Sequence, residues 1–432
     1  MTRAQAKQRK LDATQARVQG MPIPQGAAWS NDIRQDALNR LLSMGLPQAR
    51  DEYWNWTRPD TLTAQTVTPA ATFDGSDEAP MFGSIDRLTI VFVDGVFDEG
   101  ASDDLSGENL EIMRLSEALA ADIHWAKDLY GVLETDGQDP VERPLAAMNT
   151  CFATDGIVVR ATGVVTKPVN LVYLHNSDTS DAILHHVVRV ETGAELTILE
   201  NGPAAARFNK VMEVDVAEGA KFHHVRTQGR DHERRAATHI FARIGAEALF
   251  KSFTMTANGV LTRNEVVLDI VGDDSNAHVA GVAMGDGSFH HDDTVFVTHD
   301  AERCESRQVF KKVLRNGAEG VFQGKILVKD GAQKTDGYQI SQGLLLDGDS
   351  QFLAKPELEI YADDVACSHG STVGAIDETA LFYLRSRGVP EREATDLLTL
   401  AFLAEVLDEI EDEAISSEVL TRLEGWLKRR KA

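Results

Sequence analysis

Cysteine is scarce in this chain of 432 residues. The three present, Cys151, Cys304 and Cys367, are odd in number, widely separated and never in a Cys-x-x-Cys pair. That excludes a disulfide framework and a zinc ribbon and fits a reducing, cytoplasmic compartment. Long apolar runs are missing too: nothing approaches the ~18 consecutive apolar residues of a membrane span, so no membrane insertion is expected. Positive charge is in deficit. Against 68 Asp and Glu stand 43 Lys and Arg, a formal net charge of −25, which repels phosphate backbones and argues against nucleic acid as a partner. The first twenty residues carry Arg3, Lys7, Arg9, Lys10 and Arg17 without an apolar core. They read as a frayed surface helix rather than a secretory signal.

What is present divides the chain into three. Up to about residue 150 the pattern is mixed and mostly helical. A helix is expected from about 30 to 46, capped by Ser30 or Asn31 and stopped by Gly45 and Pro47. A strand is expected over Leu88 to Val93, running into the Asp94-Gly95 turn, and a second helix over Leu110 to Leu133. From 151 to 385 the period changes to two. Gly-Ala recurs at Gly193-Ala194, Gly219-Ala220 and Gly245-Ala246, a step of 26 residues, with Val188 and Val190, Val214 and Val216, and Ile240 and Ala242 in phase before them, and Leu196, Phe222 and Ala248 after. A step of this size holding two strands is what a parallel β-helix needs; a β-sandwich is the competing arrangement. From 386 to 432 helices return. Pro390 opens one, Leu397, Leu400, Ala401, Ala404, Leu407 and Ile410 form its stripe, and a last helix covers Ser417 to Leu427, with the acidic run Asp408 to Glu413 read as a solvated face.

Several chemistries fail at the motif level. Gly320-Val-Phe-Gln-Gly324-Lys325 is one residue short of a P-loop and lacks the hydroxyl residue after the lysine, so the chain should not hydrolyse ATP. No Gly-x-Ser-x-Gly elbow occurs, and Gly285-Asp-Gly287 lacks the third glycine of a dinucleotide fingerprint. Three adjacent histidine pairs, His185-His186, His223-His224 and His290-His291, point to opposite faces of a regular strand and cannot chelate one metal. His224 falls in the inward phase. His291 and Asp292, with His299 nearby, offer imidazole and carboxylate ligands, and so the alternative of a metal-dependent β-fold enzyme. Cys367-Ser368-His369 is the sharper pair. In a strand its thiol and imidazole share a face, and both are iron ligands, but two ligands cannot close a cluster, so the rest would come from another chain.

The segment Ala354 to Gly370, with Thr372-Val373-Gly374 and Phe382-Tyr383-Leu384-Arg385-Ser386-Arg387-Gly388, closely resembles the signature of the SufB/SufD family. Further matching stretches are Gly331 to Asp336, Val321 to Gly324, Cys304 to Gln308, and Gly45-Leu46-Pro47 with Glu52-Tyr53-Trp54-Asn55-Trp56-Thr57. Cys367-Ser368-His369-Gly370, where SufB-type chains carry a Glu-His-Glu run, places it nearer the SufD type. The resemblance implies a mainly β fold, a right-handed parallel β-helix core flanked by N-terminal and C-terminal helical domains. It implies a non-enzymatic scaffold subunit of iron-sulfur cluster assembly, pairing with a SufB-type subunit through the β-helix, with a homodimer in isolation as a further assembly. A SufC-type ABC ATPase would dock on the C-terminal helices. His369, with weaker grounds for Cys367, would serve a transient cluster shared with SufB; a purely structural partner of SufB is the other reading. Flavin is linked to the assembled family complex, and no motif here specifies a site for it.

Overall fold

The computed structural model describes residues 3–72, 79–229 and 233–428. Among these, the strands form two ten-stranded sheets. From Asp181 onward the chain alternates between them: Asp181–Val190 lies in one sheet and Glu195–Asn201 in the other, then Arg207–Val216 and Lys221–Gln228, down to Gln351–Ile360 and Ala366–Gly374. Each strand pairs in parallel with its equivalent one turn later, as Val190 does with Val216 and Val216 with Ile244. The result is a parallel β-solenoid of about seven turns. Parallel in-register pairing at every step excludes the sandwich.

Alternation decides which side chains fill the lumen. Leu196, Phe222 and Phe250 stack in register and are fully buried. Phe250, not Ala248, is the third member, because the turns do not keep a constant step. Val190 to Val216 spans 26 residues, whereas Val216 to Ile244 spans 28. What repeats at the corner is a left-handed backbone residue: Gly193, Gly219, Glu247, Asp274, Arg303 and Lys334 all have φ between 54° and 68°. Each but the last donates its N–H to the residue just before the next one, Gly193 to Glu218 O, Gly219 to Ala246 O, Glu247 to Asp273 O, Asp274 to Glu302 O and Arg303 to Gln333 O. Behind the corner stands a small buried residue: Ala194, Ala220, Ala248, Ser275, Cys304 and Thr335. Gly-Ala is thus the easiest sequence for this corner rather than its requirement, and Cys304 is a corner residue whose thiol donates to Gly272 O and Glu302 O.

The β region begins before Cys151. Leu88–Val93 runs parallel to Val169–Leu174, and Leu110–Arg114 runs antiparallel to Ile157–Ala161. The expected helix over 110–133 is therefore broken into that strand and the short helices Leu115–Ala120 and Val132–Asp136; Leu110 is buried against the core by strand alternation, not by a helical face. The helix near residue 30 is present as Ala28–Met44 and ends at Gly45 with φ 72°, but no side chain caps its start. Ser30 is buried and bonds Ala27 O and Leu119 O instead. The first helix, Arg3–Val18, is docked rather than frayed, with Arg17 bonded to Asp181.

At the other end, helices Glu378–Ser386, Glu391–Ala404 and Glu413–Lys428 follow the last strand. Leu403, Val406, Leu407, Ile410, Val419 and Leu423 pack on the outer face of the sheet that runs from Leu88–Val93 through Glu195–Asn201 to Ala366–Gly374, the first sheet, over Val225, Phe253 and Val282, while Leu397 faces outward. The acidic run is mostly solvated, with Asp408, Glu411, Asp412 and Glu413 exposed. Two of its members also reach the sheet: Glu409 bonds His278 at 3.0 Å and Glu411 pairs with Lys251 at 2.7 Å, while Glu405, just before the run, pairs with Lys311.

Candidate functional site at the open end of the solenoid

The strand Ala366–Gly374 is the last of its sheet, and Gln351–Ile360 the last of the other. Their outer edges therefore carry backbone N–H and C=O groups with no neighbouring strand. Cys367 lies in register with Gly337, and His369 with Gln339. Both side chains belong to the inward series that includes Phe250 and Ser252 further up the stack, so the shared face expected of Cys-x-His is realised.

The two differ in surroundings. Cys367 is half-buried beside Ile326, Val328, Leu358, Val365 and Ala362, with its Sγ where a side chain on Gly337 would come within 3.1 Å. Burial pushes its thiol pKa up, opposed by a backbone hydrogen bond from Gly337. It is thus held as a neutral thiol until a metal or cation displaces the proton. His369 is exposed and has no hydrogen-bond partner among the described residues. Directly beneath it, Gln339 is fully buried; its Nε2 donates to Gln308 Oε1 at 2.6 Å while its Oε1 accepts from nothing. An unpaired buried acceptor one strand from an imidazole is suited to hold one ring N–H and leave the other nitrogen facing outward. Sequence reading missed Gln339, because register is needed to set it under His369.

The other candidate ligands do not converge. His291 points into the lumen, where Lys312 and Asn264 approach its ring at 3.1 Å and burial keeps it neutral, far below the usual histidine pKa. Asp292 points outward. It pairs with Arg263 and accepts from Thr57 Oγ1 at 2.6 Å. His299 lies at the far end of the strand, bonded to Ser306 Oγ at 2.8 Å, with burial lowering its pKa to about 4. No three His, Cys, Asp or Glu among the described residues are grouped to hold a metal.

Asp292 instead anchors the aromatic segment near residue 53. Arg263 bonds Tyr53 O at 2.8 Å and lies 4.2 Å from the Trp54 ring centroid, while Gln323 donates to Tyr53 O at 3.1 Å. A signal for this was available: Arg263 and Asp292 are 29 residues apart, as are Asp274 and Arg303, Asp286 and Arg315, and Asp300 and Lys329, all paired between consecutive turns. The near-P-loop Gly320–Lys325 lies within the strand Glu319–Val328, with no loop to cradle phosphate.

A family profile described as SUF system FeS cluster assembly, SufBD core domain, matches residues 173–402. The iron-sulfur cluster assembly protein SufD of Escherichia coli is 28% identical over 407 residues, covering 90% of this chain and 91% of that protein. The SufD of Bacillus subtilis is 28% identical over 305 residues, 68% of this chain and 69% of that protein. A SufBD family protein of Synechocystis is 27% identical over 399 residues, 87% and 86% of the two chains. With the profile spanning more than half of the chain and the solenoid ending in the Cys367-Ser368-His369 strand, this chain belongs to the SufB/SufD family of iron-sulfur cluster assembly proteins, on its SufD-like side.

Proposed function

We propose that this chain is a scaffold subunit that meets a SufB-type partner edge to edge at the open end of the solenoid and contributes His369 to a nascent iron-sulfur cluster, the complex's cargo. One observation carries this: the outermost strand of the first sheet bears an exposed, unpartnered His369 over an unpaired acceptor. The two free edges are also unequal. Gln351–Ile360 carries Pro356, Lys355, Glu357 and Glu359, the residues that blunt an edge against pairing, whereas Ala366–Gly374 holds no proline and no charged residue. Strand addition along the latter would place Cys367 and His369 at the seam, where the partner supplies the missing ligands. Cys367 then takes the weaker role, its thiol turned toward the small apolar cluster.

The helices after Glu378 form the docking surface for a SufC-type ATPase, which supplies the ATP hydrolysis that this chain lacks a loop to perform. Phe382 and Leu397 stand 72% and 45% exposed there, more than packing within this chain requires. The expected location is the cytoplasm.

The test is co-expression with SufB-type and SufC-type subunits. His369→Ala should leave the complex assembled but lower its acid-labile iron and sulfide and its maturation of an apo-acceptor. Normal maturation by that variant would leave only the structural-partner role. Deleting 390–432 would uncover Val225 and Phe253, so Leu397→Glu is the cleaner probe of ATPase docking; it should weaken SufC retention while sparing the SufB pairing.

A further inference from the structure

The terminal strand Ala366–Gly374 carries a third polar side chain on its lumen side, two residues beyond His369. Ser371 stands in register with Ser341, Ser341 with Phe310, and Phe310 with Gly281. Phe310 is buried in the solenoid core, which fixes the parity of the whole column. Cys367, His369 and Ser371 therefore follow one another along a single face at intervals of about 6.7 Å. Ser371 is exposed, so an occupant of the open end beside His369 has access to its hydroxyl.

What that hydroxyl offers is decided one turn back. Ser341 is fully buried, and its Oγ lies 2.8 Å from Ser371 Oγ, its one side-chain hydrogen-bond partner among the described residues. A buried hydroxyl with a single acceptor in reach gives its proton to that acceptor. Ser341 thus donates to Ser371, and the proton of Ser371 is left to point out of the open end.

The rest of the last turn supplies no competing hydroxyl. Across the lumen the inward residues of Gln351–Ile360 are Phe352, Ala354, Pro356 and Leu358, and Val373 follows Ser371 on its own strand. The backbone donors are also spoken for. Ala366 N–H bonds Thr335 O, so by alternation the N–H groups of Cys367, His369 and Ser371 face the free edge, where an added strand takes them. One hydroxyl donor remains in a mouth otherwise walled by apolar side chains, beside the exposed imidazole.

We propose that Ser371 donates a hydrogen bond to a sulfide of the nascent cluster, so that the terminal strand offers the cargo a donor for its sulfur as well as a ligand for its iron. This rests on the role proposed for His369. Hydrogen bonds to cluster sulfurs tune the cluster, and in apolar surroundings they are stronger than in water.

The test uses the complex with SufB-type and SufC-type partners, loaded anaerobically with ferrous iron and sulfide. It compares Ser371→Thr with Ser371→Val, which share a shape and differ in the hydroxyl. Ser371→Val should hold a cluster yet lose iron to a chelator at least threefold faster than wild type, and the D2O shift of its Fe–S stretching bands in resonance Raman should shrink. Ser371→Thr should match wild type in both. Ser371→Ala should behave as Ser371→Val does, and it decides the matter where valine hinders assembly. His369→Ala should lose most of its acid-labile sulfide. If it does, and chelation rates and D2O shifts in Ser371→Val and Ser371→Ala equal those in Ser371→Thr, the role of Ser371 alone is overturned. A cluster held as firmly in His369→Ala as in wild type would overturn the reading on which it rests.

Discussion

Mild acid should loosen the solenoid, and the size of the effect follows from histidines folded away as neutral rings. Burial lowers the pKa of His186 to about 3, and those of His239 and His299 to about 4, against 6.5 in an unfolded chain. A depressed histidine costs nothing above pH 6.5, where both states are neutral. Below it the unfolded chain takes up a proton that the folded chain refuses, and stability falls until the folded pKa is reached. Between pH 7 and pH 5 each of the three removes ~2 kcal/mol, about 6 together. Glu134 works in the opposite sense: burial raises its carboxyl to about 7, so the folded state binds the proton first and regains ~2 kcal/mol over the same interval. For these four groups the net loss is about 4 kcal/mol, a large fraction of the stability of an ordinary domain, and the buried His291 and His224, lowered in the same direction, add to it. Urea unfolding followed by tryptophan fluorescence at pH 7 and pH 5 reads it directly as a lower midpoint in acid. Falling pH also relieves the self-repulsion of a chain carrying −25, so the comparison that isolates the histidines is the slope in His299→Gln. That variant should lose the ~2 kcal/mol that His299 contributes to the pH dependence between pH 7 and pH 5, whatever its stability at pH 7. An unchanged slope in the variant, or a wild-type midpoint equal or higher at pH 5, would refute the reasoning.

Other consequences are as concrete. Lys210 Nζ sits 2.6 Å from both oxygens of Glu200 with neither side chain exposed; Lys210→Met should cost ~3 kcal/mol by removing the nearer cation from a buried carboxylate that keeps Arg226, at 3.9 Å, and the Tyr173 hydroxyl, and adding Glu200→Gln should restore much of it. Equilibrium unfolding of the single and double variants checks this. Glu247→Gly should raise stability by ~1 kcal/mol, because φ of 54° is unfavourable for any residue with a β-carbon, and thermal unfolding would show a higher midpoint. Asp292→Ala should free the segment around Tyr53 by removing the carboxylate that pairs with Arg263 and Thr57; hydrogen exchange should speed at 53–57, with no change at the Cys367 strand.

The solenoid was legible because alternation over a two-strand period survives in sequence. The corner chemistry was legible only where glycine supplies it. Glu247, Asp274, Arg303 and Lys334 occupy the same left-handed position without announcing it, so the 26-residue step ran out of phase at Ala248. The segment 110–133 misled because Met113, Leu119, Ile123 and Leu129 stand at mostly helical offsets, and only the pairing of Leu110 with Ala161 and Ile112 with Val159 reveals the strand. At the candidate site, the shared face of Cys367 and His369 followed from strand parity. Their place on the outermost strand did not, since it depends on which turn comes last. The acidic run is solvated as expected, but its contacts to the sheet could not be foreseen, because His278 and Lys251 opposite it come from different turns.

That last turn makes the two ends of the solenoid unlike one another. At the N-terminal end both parallel stacks are closed by antiparallel strands: Val96–Phe97 folds back on Leu88–Val93, and Leu110–Arg114 lies antiparallel against Ile157–Ala161 and is itself flanked by Ser106–Gly107. Helices bury the remaining apolar surface there, with Leu115, Leu119 and Phe152 among the buried residues. At the C-terminal end nothing comparable follows among the described residues. The helices after Glu378 fold onto the outer face of the first sheet rather than across the end, and Glu378–Ser386 buries no side chain. A repeat protein needs its terminal turn covered to stay soluble and to keep its core dry. Here that turn exposes Tyr361 and Val373 by 60% and 56% and leaves Cys367, Leu358 and Val365 only half-covered. On the proposed reading the missing cap and the incomplete ligand set coincide, and one partner strand laid along Ala366–Gly374 would answer both.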